Sequence, residues 1–259
     1  MKARFGGIER LFGEEALAQL GLAHVAVVGV GGVGCWAAEM LARSGVGQIT
    51  LIDADELCVT NINRQIHALD STVGQSKVQV MAKRIHDINS DCEVHIKEQF
   101  FMARTADELL INYDYLIDAI DSVKHKVLLL AECLKRNIQV VTCGGAGGKT
   151  DPSCIQSADL AKSSGDRLLK KVRYELRKHH GLKNKKKFKI QAVYSDQPMI
   201  LPFCEVVEKQ SFKLDCDSGY GTSPMVISSF GIIAADFVIK KLIKNSRLIQ
   251  HKPNDYSHP

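Results

Sequence analysis

The chain has 259 residues, of which 45% are hydrophobic, and it carries a formal net charge of +5 at pH 7. This length and composition predict one large α/β domain, or one domain with an appendage, with enough apolar residues for an ample core. The eight cysteines form no C-x-x-C pair, and charged residues interrupt the N-terminus. These patterns argue against a structural zinc site and a signal peptide, so we expect a cytoplasmic protein.

Strands and helices alternate along the first 148 residues. After a helical lead-in over residues 1–21, the predicted strands are His24–Val30, Gly47–Asp53, Glu93–Gln99, Tyr113–Ile120 and Ile138–Cys143. The predicted helices are Cys35–Arg43, Lys77–Asn89, Thr105–Ile111 and Val123–Arg136. This alternation predicts an α/β fold with a doubly wound, mostly parallel, Rossmann-like sheet whose ligands bind at the carboxyl ends of the strands.

A glycine-rich turn follows the first predicted strand. Gly29, Gly31, Gly32 and Gly34 lie between that strand and the next helix. Such a turn presents backbone N–H groups and a helix N-terminus to a phosphate. Asp53 ends the second strand about 20 residues later, where a carboxylate binds a ribose hydroxyl. The pattern predicts an adenine nucleotide and, taken alone, slightly favours NAD over ATP.

Polar side chains after the second strand favour ATP. Arg64 and Lys77 suit a triphosphate, because a guanidinium binds phosphate oxygens through two hydrogen bonds and an ammonium supplies a compact charge. Asp121 follows another strand, where a carboxylate is placed to hold Mg²⁺. The polar set comprises Asp53, Asp55, Asn61, Asn63, Arg64, Gln65, Lys77 and Asp121. An NAD-dependent oxidoreductase has no use for most of these residues.

The remaining residues, 149–259, differ in composition and are expected to complete the same single domain. We predict a basic crossover segment with one helix over Leu160–His180, a strand over Lys189–Tyr194 and an apolar helix over Met225–Ile243. Charged residues interrupt the apolar helix, so its uncharged part is shorter than the roughly 20 residues that span a membrane. We therefore predict a core or dimer-interface helix and no obligatory membrane association.

Lys and Arg are concentrated in one stretch of this C-terminal part. Between Lys162 and Lys189 the chain has twelve basic residues and two acidic ones, Asp166 and Glu175. Such a stretch is either a solvated helix and loop or a patch that binds a polyanion such as RNA. Few aromatic residues are interleaved, so a platform for stacking single-stranded bases is not indicated.

Five motifs, taken in order, resemble the ubiquitin-activating-enzyme-like superfamily of the ThiF/MoeB type. They are Gly29–Gly34 (GVGGVG), Asp53–Asp55 (DAD), Asn61–Gln65 (NINRQ), Val73–Lys77 (VGQSK) and Asp118–Asp121 (DAID). The resemblance implies that residues 1–148 form a core that uses ATP and Mg²⁺ to adenylate a carboxylate.

The same resemblance implies roles for single residues. The glycines of the turn and Asp55 would line the nucleotide, and Asp53 would bind its ribose. The phosphates would be contacted by Asn61, Arg64, Gln65 and Lys77. Asp121 would serve the metal and the reacting phosphate.

Two departures from the superfamily pattern stand out. Members commonly bind zinc through two C-x-x-C pairs, which this chain lacks. They often carry an N-terminal Arg that reaches the nucleotide of a partner subunit. Gly7 stands at that position here, and Arg10 is the candidate substitute. A homodimer is nevertheless implied.

Further stretches resemble one branch of the superfamily, the tRNA threonylcarbamoyladenosine dehydratases. They are Arg4–Gly13, Gly144–Pro152, Asp159–Lys162 and Asp215–Gly221. The branch implies ATP-dependent cyclisation of N6-threonylcarbamoyladenosine beside the tRNA anticodon, with a monovalent cation and a sulfur-relay protein as further candidate partners. The basic segment would then hold the anticodon arm, through Lys171, Arg173, Arg177, Lys185, Lys186 and Lys187.

Three other functions stay open at this point. The first is adenylation of the C-terminus of a ubiquitin-like or sulfur-carrier protein, with Cys216 or, second, Cys154 as a reactive thiol. The second is an NAD-dependent oxidoreductase. The third is a nucleotide-sensing module without turnover. The basic segment and the missing zinc ligands favour RNA over a protein substrate.

Overall fold

The computed structural model describes residues 2–201 and 220–243. Its helices are α1 (Lys2–Phe12), α2 (Glu14–Leu22), α3 (Gly32–Arg43), α4 (Lys77–Ile88), α5 (Ala106–Leu109), α6 (Val123–Arg136), α7 (Arg167–His179) and α8 (Pro224–Leu242). Its strands are β1 (His24–Val28), β2 (Gln48–Ile52), β3 (Glu93–Lys97), β4 (Tyr115–Asp118), β5 (Val140–Cys143), β6 (Ile155–Asp159) and β7 (Gln191–Ser195).

The strands form one sheet in the order β3-β2-β1-β4-β5-β7-β6. All neighbours are parallel except β6 and β7, which run antiparallel. The chain starts at β1, moves outward to β3, and then returns to the other side of β1 with β4. This reversal opens a crevice between the carboxyl ends of β1 and β4, where such folds bind ligands. The predicted doubly wound fold is confirmed.

Helices cover both faces of the sheet. Val25 and Val27 of β1 belong to a core cluster with α3, α4 and α8, whereas Ala26 and Val28 belong to a cluster with α6 and α7. This division follows from the alternation of side chains along a strand. Helix α8 approaches α3 closely at Gly231, where an added Cβ would lie 2.3 Å from a backbone oxygen of α3.

The structure corrects the prediction for the basic segment. The helix predicted over Leu160–His180 begins only at Arg167, because Asp166 caps it by accepting a hydrogen bond from the N–H of Leu169 at 2.8 Å. Of the residues predicted to be helical before it, Leu160–Lys162 form a short 3-10 helix, and the unpredicted strand β6 ends just before them at Asp159. It lies at the sheet edge and has one large apolar residue, Ile155, so the hydrophobic pattern of a buried strand is missing.

The remaining boundaries differ by a few residues. The predicted apolar helix corresponds to α8, which begins at Pro224, a favoured residue in the first helical turn. No helix within the described ranges is long and apolar enough to cross a membrane. Most of the Asp215–Gly221 stretch, including Cys216, lies outside the described residues.

Candidate functional site

A cavity of about 960 Å³ opens at the carboxyl ends of the central strands. We call it the nucleotide-type cavity. The predicted site residues that line it are Gly29, Gly31, Gly32, Asp53, Asp55, Asn61, Arg64, Gln65, Lys77, Asp121 and Lys171. Residues separated by up to 142 positions in sequence therefore meet in one space. This is expected where the strand order of the sheet reverses, between β1 and β4.

The glycine turn is shaped by close backbone contacts. Gly29 has a φ of +86°, a conformation that favours glycine. Gly34 does not line the cavity. It lies in α3, where an added Cβ would be 1.8 Å from the carbonyl oxygen of Gly29. Gly34 therefore allows the helix to pack against the turn, and the other glycines face the cavity.

Asp53 ties the glycine turn to the loop after β2. One carboxylate oxygen accepts a hydrogen bond from the N–H of Val30 at 2.7 Å, and the other accepts from the N–H of Asp55 at 3.0 Å. Burial raises the pKa of the Asp53 carboxyl, while these hydrogen bonds and the charge of Lys77 act in the opposite direction. The carboxylate thus fixes two loops at the mouth of the crevice.

Lys77 is held at the cavity wall by Asp55. Its ammonium lies 2.7 Å from a carboxylate oxygen of Asp55, and its backbone N–H donates to the carbonyl of Asp55 at 3.0 Å. The side chain of Lys77 is 9% exposed, whereas that of Asp55 is 50% exposed. The lysine is therefore fixed in the wall, while its partner remains accessible to solvent.

Arg64 projects from a loop with neutral hydrogen-bond partners. Its guanidinium donates to the carbonyl of Thr60 at 2.6 Å and to the side-chain oxygen of Asn63 at 3.0 Å. Its own carbonyl accepts a hydrogen bond from the indole N–H of Trp36 at 3.1 Å, which anchors the loop to α3. Since both acceptors are uncharged, the guanidinium retains its capacity to bind an anion.

Two buried amides complete this loop. Asn61 accepts a hydrogen bond from the N–H of Cys58 at 3.2 Å through its side-chain oxygen. The side-chain oxygen of Gln65 is buried and has no hydrogen-bond partner among residues 2–201 and 220–243. A buried acceptor without a partner is costly, so this atom is suited to a donor group on a ligand in the cavity.

A buried polar cluster under the cavity was not predicted from the sequence. The ammonium of Lys126 lies 2.8 Å from Asp118 and 3.2 Å from Thr142, and the hydroxyl of Thr142 donates to Asp118 at 2.6 Å. All three residues are fully buried. Asp118 also accepts from the N–H of Ile120 at 3.1 Å, which fixes the turn that leads to Asp121.

The C-terminal part of the chain supplies the far wall. Lys149, Asp166 and Arg167 line the cavity, and none was singled out as a site residue from the sequence. Lys149 donates to the carbonyls of Ser195 and Gln197 at 3.0 and 2.7 Å, and burial lowers its pKa. The N–H of Gly145 donates to the carboxylate of Asp166 at 2.9 Å, which fixes the start of α7 to the loop after β5.

Several predicted basic residues lie away from this cavity. Arg173 is half-buried and donates to the hydroxyl of Ser163, and burial lowers its pKa. Arg177 lies over the ring of Phe188, 5.2 Å from its centroid. The loop after α7 presents three further predicted residues, all exposed: Lys185, Lys186 and Lys187.

The thiol candidate Cys154 and the candidate partner-subunit residue Arg10 do not line the described cavity. Cys154 lies 3.5 Å from a carboxylate oxygen of Asp151, and its pKa is raised by loss of hydration and by that contact. Arg10 does not line the cavity of its own chain. The described residues contain no group of three or more His, Cys, Asp or Glu side chains that could hold a metal ion.

Comparison with known proteins agrees with this geometry. The ThiF family matches residues 7–257. The tRNA threonylcarbamoyladenosine dehydratase of Haemophilus influenzae is 48% identical over 244 residues, which cover 93% of this chain and 94% of that protein.

Two solved structures of Escherichia coli tRNA N6-threonylcarbamoyladenosine dehydratase, TcdA, are also similar. The complex with ATP has a TM-score of 0.86 and 43% identity, and the match covers 96% of this chain and 97% of that one. The complex with AMP has a TM-score of 0.85 and 44% identity, and it covers 94% and 95% of the two chains.

Proposed function

Since the chain belongs to the ThiF family, we propose that it is an ATP-dependent enzyme that dehydrates N6-threonylcarbamoyladenosine in tRNA. The observation that carries this conclusion is the nucleotide-type cavity, in which a glycine turn, two cationic side chains and the start of a basic helix face one space. Relatives named for this activity match the chain over almost its whole length, and similar structures contain ATP and AMP.

The reaction removes one water from the modified base in two transfers. A carboxylate oxygen of the threonyl group attacks the α-phosphorus of ATP and expels pyrophosphate, which gives an acyl-adenylate. An atom of the same side chain then attacks the activated carbonyl carbon and loses its proton, and AMP leaves with the former carboxylate oxygen. Because this nucleophile is tethered, its effective concentration is high and no enzyme nucleophile is required.

We assign the positioning of ATP to residues that the fold holds rigidly. The N–H groups of the glycine turn bind phosphate oxygens, and Asp53 accepts from a ribose hydroxyl through its remaining lone pairs. Arg64 and Lys77 stabilise the negative charge that develops at the α-phosphate. Lys77 exchanges Asp55 for a phosphate oxygen, so Asp55 holds the ammonium in position until the nucleotide arrives.

The acidic residues at the rim fit a magnesium ion. Asp121 is an exposed carboxylate that lines the cavity, and Asp55 is a second one that is half exposed. Mg²⁺ usually takes one or two protein carboxylates and completes its coordination with phosphates and water, so a larger protein cluster is not needed. When bound, the ion neutralises charge on the phosphates of ATP. A monovalent cation stays a prediction without an assigned residue.

The tRNA substrate approaches along α7. Arg167 and Lys171 on this helix line the cavity, and the exposed run Lys185–Lys187 follows the helix. This arrangement forms a basic path from solvent to the glycine turn and suits the phosphates of an anticodon arm. A homodimer, a cytoplasmic location and a sulfur-relay partner remain predictions from the resemblance.

The decisive experiment uses tRNA that carries the threonylcarbamoyl base. Incubation with the protein and ATP is expected to reduce the mass of the modified nucleoside by one water, with one AMP released for each nucleoside converted. The Arg64→Ala variant should lose this activity. Lys135→Ala is the matched control, because Lys135 is an exposed lysine near the C-terminal end of α6, away from the cavity. Release of AMP without loss of water from the tRNA would contradict the proposal.

The tRNA path has a separate test. Charge reversal of the exposed run, with Lys185, Lys186 and Lys187 each changed to Glu, is expected to weaken tRNA binding and to reduce the salt slope of log K by about 2–3. Binding measured over a salt series checks both effects. Affinity equal to that of the parent at every salt concentration would remove this run from the tRNA path.

A further inference from the structure

A second cavity lies outside the nucleotide-type cavity and is not used by the mechanism above. Its volume is about 630 Å³, and its wall combines α1, α4, the end of α3 and the loop before α4. Four cationic side chains line it, Arg4, Arg43, Lys83 and Arg84, together with one carboxylate, Asp87. We call it the basic cavity.

Two of the four cations are already paired. Arg43 and Arg84 lie 2.7 and 2.6 Å from the carboxylate of Glu39, which is buried. Arg4 donates to the carbonyl of Ile88, an uncharged group. Lys83 is exposed and forms no ion pair within the part of the chain that the structure describes. The wall therefore retains an excess of positive charge.

His67 provides the second observation. Its side chain lines the basic cavity, it is 2% exposed, and neither ring nitrogen has a hydrogen-bond partner among the described residues. Burial and the charges of Lys77 and Arg84 lower the pKa of the imidazole to about 4, so the ring is neutral at pH 7. A neutral imidazole has one N–H donor, and leaving that donor buried without an acceptor is costly.

We propose that the basic cavity binds a phosphate group, with His67 donating a hydrogen bond to it from the wall and Lys83 supplying an unpaired positive charge. Phosphate matches this environment because it offers several acceptor oxygens and negative charge to Arg and Lys side chains. The same chemistry is present in free inorganic phosphate and in the backbone of RNA. The proposal does not depend on the reaction in the nucleotide-type cavity.

The test follows the His67 ring directly. Protein with ¹⁵N-labelled histidine is titrated with inorganic phosphate at constant pH and ionic strength, and the resonance of His67 is identified by its absence in His67→Gln. We expect a saturable shift of this resonance. Lys83→Ala should weaken the apparent phosphate affinity about fivefold, while Lys135→Ala should leave it unchanged. Arg84 is not substituted, because its removal would leave the charge of the buried Glu39 carboxylate only partly compensated.

Two results would overturn the proposal. One is a shift that grows linearly without saturation, which marks an adventitious ion only. The other is an equal affinity in the Lys83→Ala and Lys135→Ala variants. Adding unmodified tRNA at saturating concentration then distinguishes the two sources of the phosphate group, free phosphate and the RNA backbone. If tRNA reverses the phosphate-induced shift of the His67 resonance by displacing inorganic phosphate, the cavity binds an RNA phosphate. If tRNA and inorganic phosphate bind together, the cavity binds a free phosphate.

Discussion

The nucleotide-type cavity and the basic cavity differ in how the fold holds their polar side chains. In the first, both carboxylate oxygens of Asp53 accept backbone N–H groups, and Lys77 is paired with Asp55. In the second, both nitrogens of His67 lack a partner among the described residues. Apart from the unpartnered side-chain oxygen of Gln65, the first geometry is fixed before a ligand arrives, whereas the second needs a ligand or water to complete it. Preorganisation of this kind favours catalysis in the first cavity.

The largest expected effect concerns the glycine turn. Gly34→Ala should prevent folding or reduce stability by more than about 4 kcal/mol, since the new Cβ would collide with the backbone of Gly29, which cannot move aside. Gly7→Ala is the control, because an added Cβ there meets no atom within 4 Å. Denaturant unfolding of both variants tests the rigidity assigned to the first cavity. A Gly34→Ala protein as stable as the parent would contradict it.

The second effect concerns the cluster beneath that cavity. Lys126→Met leaves the buried carboxylate of Asp118 without its cation and should reduce stability by about 3–5 kcal/mol. Adding Asp118→Asn should restore part of the loss, because a neutral amide needs no compensating charge. The free energy of unfolding of the single and double variants gives the answer. If the double variant shows no recovery of stability, packing and not charge is what makes this buried cluster stabilising.

The third effect is on catalysis alone. Arg64→Ala should lower kcat by about 10²–10³, the usual effect of removing one group that stabilises transition-state charge. Stability should hardly change, because the guanidinium bonds only to neutral acceptors at the protein surface. Single-turnover formation of AMP measures the chemical step. A rise in KM at constant kcat would instead assign Arg64 to substrate binding.

The smallest expected effect is a pH dependence of stability caused by His67 in the basic cavity. The pKa of His67 is about 4 in the folded chain, below the ordinary value of 6.5. Its contribution to stability is therefore fully present above pH 6.5 and is lost as the pH falls towards 4. When the pH is lowered from 7 to 5, the free energy of unfolding of the parent should fall by about 1–2 kcal/mol more than that of the His67→Gln variant.

Urea unfolding in a buffer without phosphate measures this difference. Other histidines titrate equally in the two proteins and cancel. An identical loss of stability in parent and variant would mean that His67 is already paired or charged in the folded chain.

Much of the fold was predictable because it depends on local patterns. Apolar strands followed by helices placed β1 to β5 within a few residues, and the glycine turn and Asp53 marked the crevice. The edge strand β6 was not predicted from the sequence because it buries little apolar surface. Its existence depends on pairing with β7, which lies more than thirty residues later.

The missed site residues share a physical reason. Lys126, Lys149 and His67 take their roles from partners, or from the lack of partners, that only the folded chain brings near. One signal was available for the first: Lys126 falls on the same helix face as Leu129 and Cys133, so its burial follows from helical spacing. For the other two, the sequence contains no comparable local pattern.

The hydrogen bond between Trp36 and the carbonyl of Arg64 gives the molecule a built-in optical reporter. Trp36 is the only tryptophan in the chain, and its indole donates to the loop that carries Arg64, whose guanidinium we propose to bind phosphate. Indole emission is sensitive to hydrogen bonding and solvent contact at the ring. Stopped-flow intrinsic fluorescence can therefore report the arrival of ATP at this loop without an added dye.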